Sequence, residues 1–202
     1  MSEQIRHAAS VVAVREATGG PQILVVERGA SSRFLASYVV FPGGAVDAGD
    51  TALAGRWFGD EDEAARAAAI RELVEEAGVA VTANGMVSVP DHDPLDTVHA
   101  APPAADQLVD LCHWVAPDDV PVRFDARYYS VRAPVDLEPV PDGAEAAAAW
   151  WVSPHTLLER WEHGDAKLYW PTWYTVTRLA QCADAEELFT FRFDAREPTD
   201  DE

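Results

Sequence analysis

The run Arg71-Glu72-Leu73-Val74-Glu75-Glu76-Ala77-Gly78-Val79 carries the densest chemistry in the chain. On a helix, Glu72 and Glu76 lie one turn apart with Glu75 beside them, so the three carboxylates crowd one face. Each such like-charge pair costs a few tenths of a kcal/mol even in water, so the cluster points to a cation that offsets it. Carboxylate oxygens favour a hard divalent ion, magnesium or manganese, and magnesium commonly bridges such groups to substrate phosphates. The plainer reading of the same spacing is a solvated acidic face. The neighbours weigh against it. Arg71 reaches Glu75 at i, i+4, Leu73 turns with Ala69 and Ala77 toward a core, Ala68 leaves the acidic face open, and Gly78 ends the helix.

Upstream stands Phe41-Pro42-Gly43-Gly44, and together these two runs resemble the Nudix hydrolase signature. That signature reads Gly, five residues, Glu, seven residues, then Arg-Glu-(aliphatic)-X-Glu-Glu-X-Gly-(aliphatic). The second half matches at every specified position. In the first half, Gly44 and five residues lead to Asp50 where the family has Glu, and twenty residues rather than seven separate Asp50 from Arg71. Glu63 lies at the family's distance from Arg71, but Trp57 occupies its glycine position, so an insertion at about residues 51–63 inside the box is expected. Its acidic residues suit a helix N-terminus. The insertion is expected to end as an N-terminal extension of the box helix, with Trp57 and Phe58 packing it onto the body.

The resemblance implies an α/β fold, a mixed β-sheet sandwiched between α-helices in one domain covering residues 5–182. It also implies roles. Glu72 and Glu76 would be metal ligands, Glu75 a further ligand or the base, and Arg71 an orienting group. The Gly44 carbonyl would complete the coordination, and Asp50 would support Arg71 in place of the family's Glu.

Bulk composition sets limits on function. With 202 residues, 48% hydrophobic, the chain suffices for one well-buried domain. A net charge of −20 argues against a protein that binds nucleic-acid backbones, and an anionic substrate would need the metal. Cys112 and Cys182 show no metal-ligand spacing, and no secretory leader or membrane-length apolar stretch is evident. A reducing, cytoplasmic location is expected.

The remaining elements must position the acidic helix. Residues 7–16 and 22–28 read as a strand pair around Thr18-Gly19-Gly20-Pro21. Arg33, three residues before Ser37, which precedes Phe41-Pro42-Gly43-Gly44 by three more, is similar to an element of Nudix enzymes that cleave coenzyme A; there the middle position is Gly. Residues 82–103 read as a proline-rich loop with at most a turn of helix, 104–111 as a brief helix, and 111–115 and 122–131 as strands. Alternation puts Arg123, Asp125, Arg127 and Tyr129 on one strand face. Two arginines in so acidic a chain fit either a solvent-facing ion ladder or a phosphate clamp. The run Arg123-Phe124-Asp125-Ala126-Arg127-Tyr128-Tyr129 also resembles an element of the insertion-bearing Nudix branch related to peroxisomal coenzyme A diphosphatases, which favours the clamp.

Glu145 precedes a strand ending Trp150-Trp151-Val152, and in that branch a Glu at this place suggests a carboxylate that binds metal or activates water. As a lone residue it reads equally as a strand-edge charge. Ser153-Pro154 starts a helix through Trp161, Trp170 stands where the family often has Pro, and a further helix runs to about Cys182. The five tryptophans from 150 to 173 read chiefly as core. Beyond lies an extension, 183–202, in which Leu188–Phe193 form a small strand before an acidic end expected to be disordered.

The resemblance thus implies magnesium- or manganese-dependent hydrolysis of a nucleoside diphosphate linked to another group. Coenzyme A or acyl-coenzyme A is the first candidate, and ADP-ribose, NADH or a nucleotide sugar the second. A catalytically weak nucleotide-binding regulator, for which the displaced Asp50 argues, is the third. The expected partner is a small molecule, with no nucleic acid or membrane, and a homodimer is compatible with the sequence.

Overall fold

The apolar runs at the start of the chain form β1 (Arg6–Ala17) and β2 (Gly20–Arg28) in a computed structural model that describes residues 5–32, 34–89, 95–116, 123–141, 143 and 145–195. The two strands pair antiparallel only from Val14↔Ile23 to Ala17↔Gly20, and then they part. The gap is filled by β3 (Val39–Val40), which pairs with Val26 and Glu27, and by β4 (Gly43–Ala45), which pairs with Ala8 to Ser10. Phe41-Pro42 crosses the fork, where the Pro42 carbonyl accepts the Val11 N–H at 2.8 Å. The glycine run therefore enters the sheet beside β1.

On the other edge of β1 lies β8 (Phe124–Arg132), parallel to it, followed by antiparallel β7 (Val109–Val115); β9 (Ala146–Val152) pairs with β2. Strand alternation separates two cores. Ala9, Val11, Leu24 and Tyr129 face α1 (Ala48–Phe58) and α2 (Ala64–Ala77). Val12, Ile23, Val25 and Tyr128 face α4 (Pro154–Glu162), α5 (Trp170–Leu179) and α6 (Ala185–Thr190). The result is the expected mixed sheet between helical layers. Among the described residues no helix is long and apolar enough to cross a membrane.

Three expectations are corrected. The inserted residues do not extend the box helix: α1 is separate, ended by Gly59 at φ +73°, and the Asp60 side chain then accepts the Asp62 N–H to start a 3-10 turn at Glu61–Glu63. Trp57 is buried between α1 and the body, donating to His99 Nδ1 at 2.8 Å, and His99 belongs to the short α3 (Asp96–Ala100). Second, β5 (Val79–Thr82) and β6 (Gly85–Ser88) form a hairpin where a loop was expected to begin. Third, residues 185–190 are helical rather than a strand, because Asp184 caps the Glu187 N–H and Leu188 is fully buried in the second core. The acidic end from 196 lies outside the described residues.

Candidate active site

Helix α2 presents its acidic face to the fork between β1 and β2. Its packing stripe, Ala69, Leu73 and Ala77, is completely buried, which fixes the rotation of the helix. Gly78, at φ +61°, closes it through an N–H bond to the Val74 carbonyl at 3.0 Å.

Glu76 thereby points inward. Its side chain is 3% exposed; Oε2 accepts the Gly43 N–H at 3.0 Å, and Oε1 lies 3.5 Å from Arg28 Nη1. Burial pushes its carboxyl up to about 7. The Gly43 N–H and Arg28 oppose that rise, while Glu72 and Glu145 add to it. Glu72 is also raised by burial, against the pull of Arg71. Gly44 is the reason Glu72 can lie so close to the backbone: a Cβ added there would sit 2.5 Å from its carboxyl carbon.

One oxygen from each of Glu72, Glu76 and Glu145 lies within 4.8 Å of the others. Glu145 reaches the trio from just before β9, and its carbonyl accepts the Gly29 N–H at 2.9 Å, tying that turn to the end of β2. An all-oxygen set of this size suits a hard divalent ion. Glu75 is not part of the trio. It is exposed and accepts Arg71 Nη1 at 2.9 Å.

Arg71 organises the acids around it. Its bonds go to Asp50 twice (2.9 and 3.1 Å), to Glu72 (2.7 Å), to Glu75 (2.9 Å) and to the Ala45 carbonyl (3.0 Å). These five bonds match the five donors of a guanidinium, so none is left for a substrate. The bond with Asp50, first among the causes, raises the already high Arg71 pKa further. Asp50, 1% exposed, also accepts the Asp47 N–H at 2.7 Å and so caps the helix that carries it.

Beside the trio opens a cavity of about 600 Å³ whose wall includes Gly43, Gly44 and Arg28. Otherwise it is largely apolar and aromatic, with Phe41, Trp114, Phe124, Tyr128 and Trp170 among its lining. At its mouth Phe34 lies 6.0 Å from Phe124 and 6.2 Å from Tyr169 between ring centroids. Phe34 is held by its carbonyl, which accepts Arg28 Nε at 3.2 Å.

The arginines singled out at the start of β8 and within it, Arg123 and Arg127, do not line this cavity. Phe124, Ala126 and Tyr128 line it, so alternation places Arg127 on the opposite face, exposed and across from His113. Arg123 donates to the Ala116 carbonyl at 3.2 and 3.3 Å, holding the end of β7. Asp125, between them, pairs with His113 and His7. Arg33 lies outside the described residues. Arg28 and Phe34 were missed as site residues. The available signal was a basic residue closing an apolar strand immediately before Gly29 and opposite the Pro-Gly-Gly run.

Comparison with known proteins gives a consistent result. The NUDIX domain family profile matches residues 5–170. A Caenorhabditis elegans protein named nudix hydrolase 7 is 31% identical over 194 residues, which cover 89% of this chain and 62% of that protein, so the chain spans less than two thirds of that relative. The crystal structure of a NUDIX hydrolase from Alicyclobacillus acidocaldarius superposes with a TM-score of 0.81 at 29% identity, covering 94% of this chain and 97% of that one. The NUDIX domain of Shewanella oneidensis NrtR, solved with ADP ribose, shares the fold alone, at a TM-score of 0.57 and 14% identity over 87% of this chain and 86% of that one.

Proposed function

This chain belongs to the Nudix hydrolase family, and we propose that it hydrolyses the pyrophosphate bond of a nucleoside diphosphate linked to a second moiety, with coenzyme A or an acyl-coenzyme A as substrate. One observation carries the reading: Gly43, Gly44 and Arg28, which touch Glu76 and Glu72 of the trio, also form part of the wall of an otherwise apolar, aromatic cavity. The pyrophosphate would lie at the acids and the pantetheine arm, with any acyl group, in the cavity. The acyl chain and the methyl and methylene segments of the arm would match such walls, whereas the hydroxyl-rich half of ADP-ribose or a nucleotide sugar offers them little apolar length.

Bound magnesium or manganese would neutralise phosphate oxygens and acidify a water. Glu72 and Glu76 would hold it, with the Gly44 carbonyl beside them. The Gly43 N–H fixes the Glu76 carboxylate, and Arg71 fixes that of Glu72, while Glu75 and Asp50 keep Arg71 in place. Glu145, at the solvent side of the trio, accepts a proton from the attacking water as its oxygen bonds to phosphorus. The bridging P–O bond breaks, and two phosphate monoesters leave.

The test is kcat/KM for coenzyme A, an acyl-coenzyme A, its 3'-dephospho form, ADP-ribose and NADH with magnesium. Preference for the coenzyme A compounds is expected. Far better use of ADP-ribose or NADH would move the substrate to the second class and leave the family chemistry in place.

A further inference from the structure

Arg71 and Arg28 both touch the acidic centre, yet they differ in what they have left to offer. Arg71 has a bond for each of its five donors. Arg28 makes two side-chain bonds among the described residues, from Nε to the Phe34 carbonyl at 3.2 Å and from Nη1 to Glu76 Oε1 at 3.5 Å. The second is long for a charge-assisted bond, which closes to about 2.7–2.9 Å. Nη2 makes none among the described residues. A guanidinium whose side chain is 26% exposed thus stands half-engaged between the acids and the cavity it lines.

Its backbone explains why it is held there. The register between β2 and β9 shifts at Glu27/Arg28, so Arg28 leaves the regular alternation of the strand. Its N–H donates to the Tyr38 carbonyl at 3.0 Å and its carbonyl accepts the Ser37 N–H at 3.1 Å. Leu35 and Ser37 in that loop hold φ of +52° and +60°, a conformation non-glycine residues adopt at a cost and one that accumulates at ligand clamps. The next residue, Gly29, anchors Glu145. Residues 28–29 therefore join the third carboxylate, the loop bearing Phe34 and the Glu76 side chain.

We propose that Arg28 binds a phosphate group of the substrate, capturing the pyrophosphate where the carboxylate trio meets the apolar cavity; this rests on the pyrophosphate reaction proposed for the trio. The planar fork suits a phosphate, and the Phe34 carbonyl and Glu76 keep it oriented while Nη2 stays open. Through the Phe34 bond, the same residue sets the position of the aromatic rim. Phosphate capture and the seating of the apolar arm then share one side chain.

The experiment measures binding of Mn²⁺ alone, and of the non-hydrolysable methylenediphosphonate in the presence of Mn²⁺, by calorimetry on wild type, Arg28→Gln and Arg28→Lys. Wild type should bind the bisphosphonate, Arg28→Gln about tenfold or more weakly, and Arg28→Lys in between, since the charge survives and the fork does not. Mn²⁺ alone should bind Arg28→Gln as well as wild type or better, because a positive neighbour of Glu76 is removed, and should bind Arg28→Lys like wild type. The role is overturned if wild type fails to bind the bisphosphonate, if Arg28→Gln binds it like wild type, or if Mn²⁺ binding falls in parallel. Turnover separates the two ideas: bisphosphonate binding through Arg28 with no hydrolysis of coenzyme A, ADP-ribose or NADH sinks the hydrolase reading and leaves this role standing, while hydrolysis undiminished in Arg28→Gln does the reverse.

Discussion

Arg71 and Asp50 meet through two bonds, Nε to Oδ1 at 2.9 Å and Nη2 to Oδ2 at 3.1 Å, although twenty residues separate them in the chain. The added helix α1 turns the chain so that its first turn, rather than a residue just before α2, supplies the carboxylate. Asp50→Ala would leave two donors of Arg71 without partners and remove the cap of α1. A loss of about 3 kcal/mol or more in denaturant unfolding is expected, as for a buried pair losing one member. Activity should fall less than in Glu76→Gln, since Asp50 acts through Arg71. Equal losses, with a manganese-bound structure showing Asp50 on the ion, would contradict the assignment.

Gly44→Ala should separate function from stability. The added Cβ meets the far end of the Glu72 side chain, which gives up its bond from Arg71 when it moves aside while the backbone stays in place, so the melting temperature should fall only modestly. The displaced carboxylate leaves the trio, and both Mn²⁺ affinity and kcat should drop. Unaltered Mn²⁺ binding would show that Glu72 is not held there for a metal.

Ser37 stands where the resembling coenzyme A element has Gly, and its φ of +60° explains that preference. Left-handed backbone costs a residue with a Cβ about 1–2 kcal/mol, part of which glycine returns as unfolded-chain entropy. Ser37→Gly should therefore raise stability by roughly 0.5–1 kcal/mol, and Ser37→Val should lower it by more than that. Chemical unfolding of the two variants decides it; a destabilised Ser37→Gly would mean the loop does not hold this conformation.

Without metal, Glu76 makes stability depend on pH. Its carboxyl rises from an ordinary 4.5 to about 7 through burial, so the folded state favours the protonated form. The contribution is fully present below about 4.5 and is lost as pH climbs through about 7, a change on the order of 3 kcal/mol. Chelator-treated protein should melt higher at pH 5.5 than at pH 7.5, and Glu76→Gln should flatten that difference. A wild-type profile that matches Glu76→Gln would rule the effect out.

Much of this architecture was legible because helix geometry converts spacing into proximity. Arg71, Glu75, Glu72 and Glu76 could be placed on one face from sequence, and Asp50 could be matched to Arg71 through the glycine run. Glu145 was identified by its place before the tryptophan strand, although only the fold brings it within 4.8 Å of Glu72 and Glu76. The errors are equally local. Phe58-Gly59-Asp60 was a helix stop followed by a cap, yet the alanines after it suggested one continuous helix. Asn84-Gly85, with Gly85 at φ +103°, was a hairpin turn hidden next to prolines that belong to a later segment. In β8, alternation gave the faces correctly but not which face meets the cavity, because that is decided by where α5 packs. Arg28 was obscured for a related reason: its direction depends on an irregularity between β2 and β9, a partner 118 residues away at Ala146.

The account's central claim is that the carboxylate trio directs water onto phosphorus. It is tested most directly by incubating wild type and Glu76→Gln with coenzyme A and magnesium in ¹⁸O-water and identifying products by mass. The account predicts 3',5'-ADP and 4'-phosphopantetheine, with a single ¹⁸O in the phosphate of one of them, and neither product from Glu76→Gln or in excess chelator. Products formed equally by Glu76→Gln, or ¹⁸O found outside a phosphate group, would contradict it.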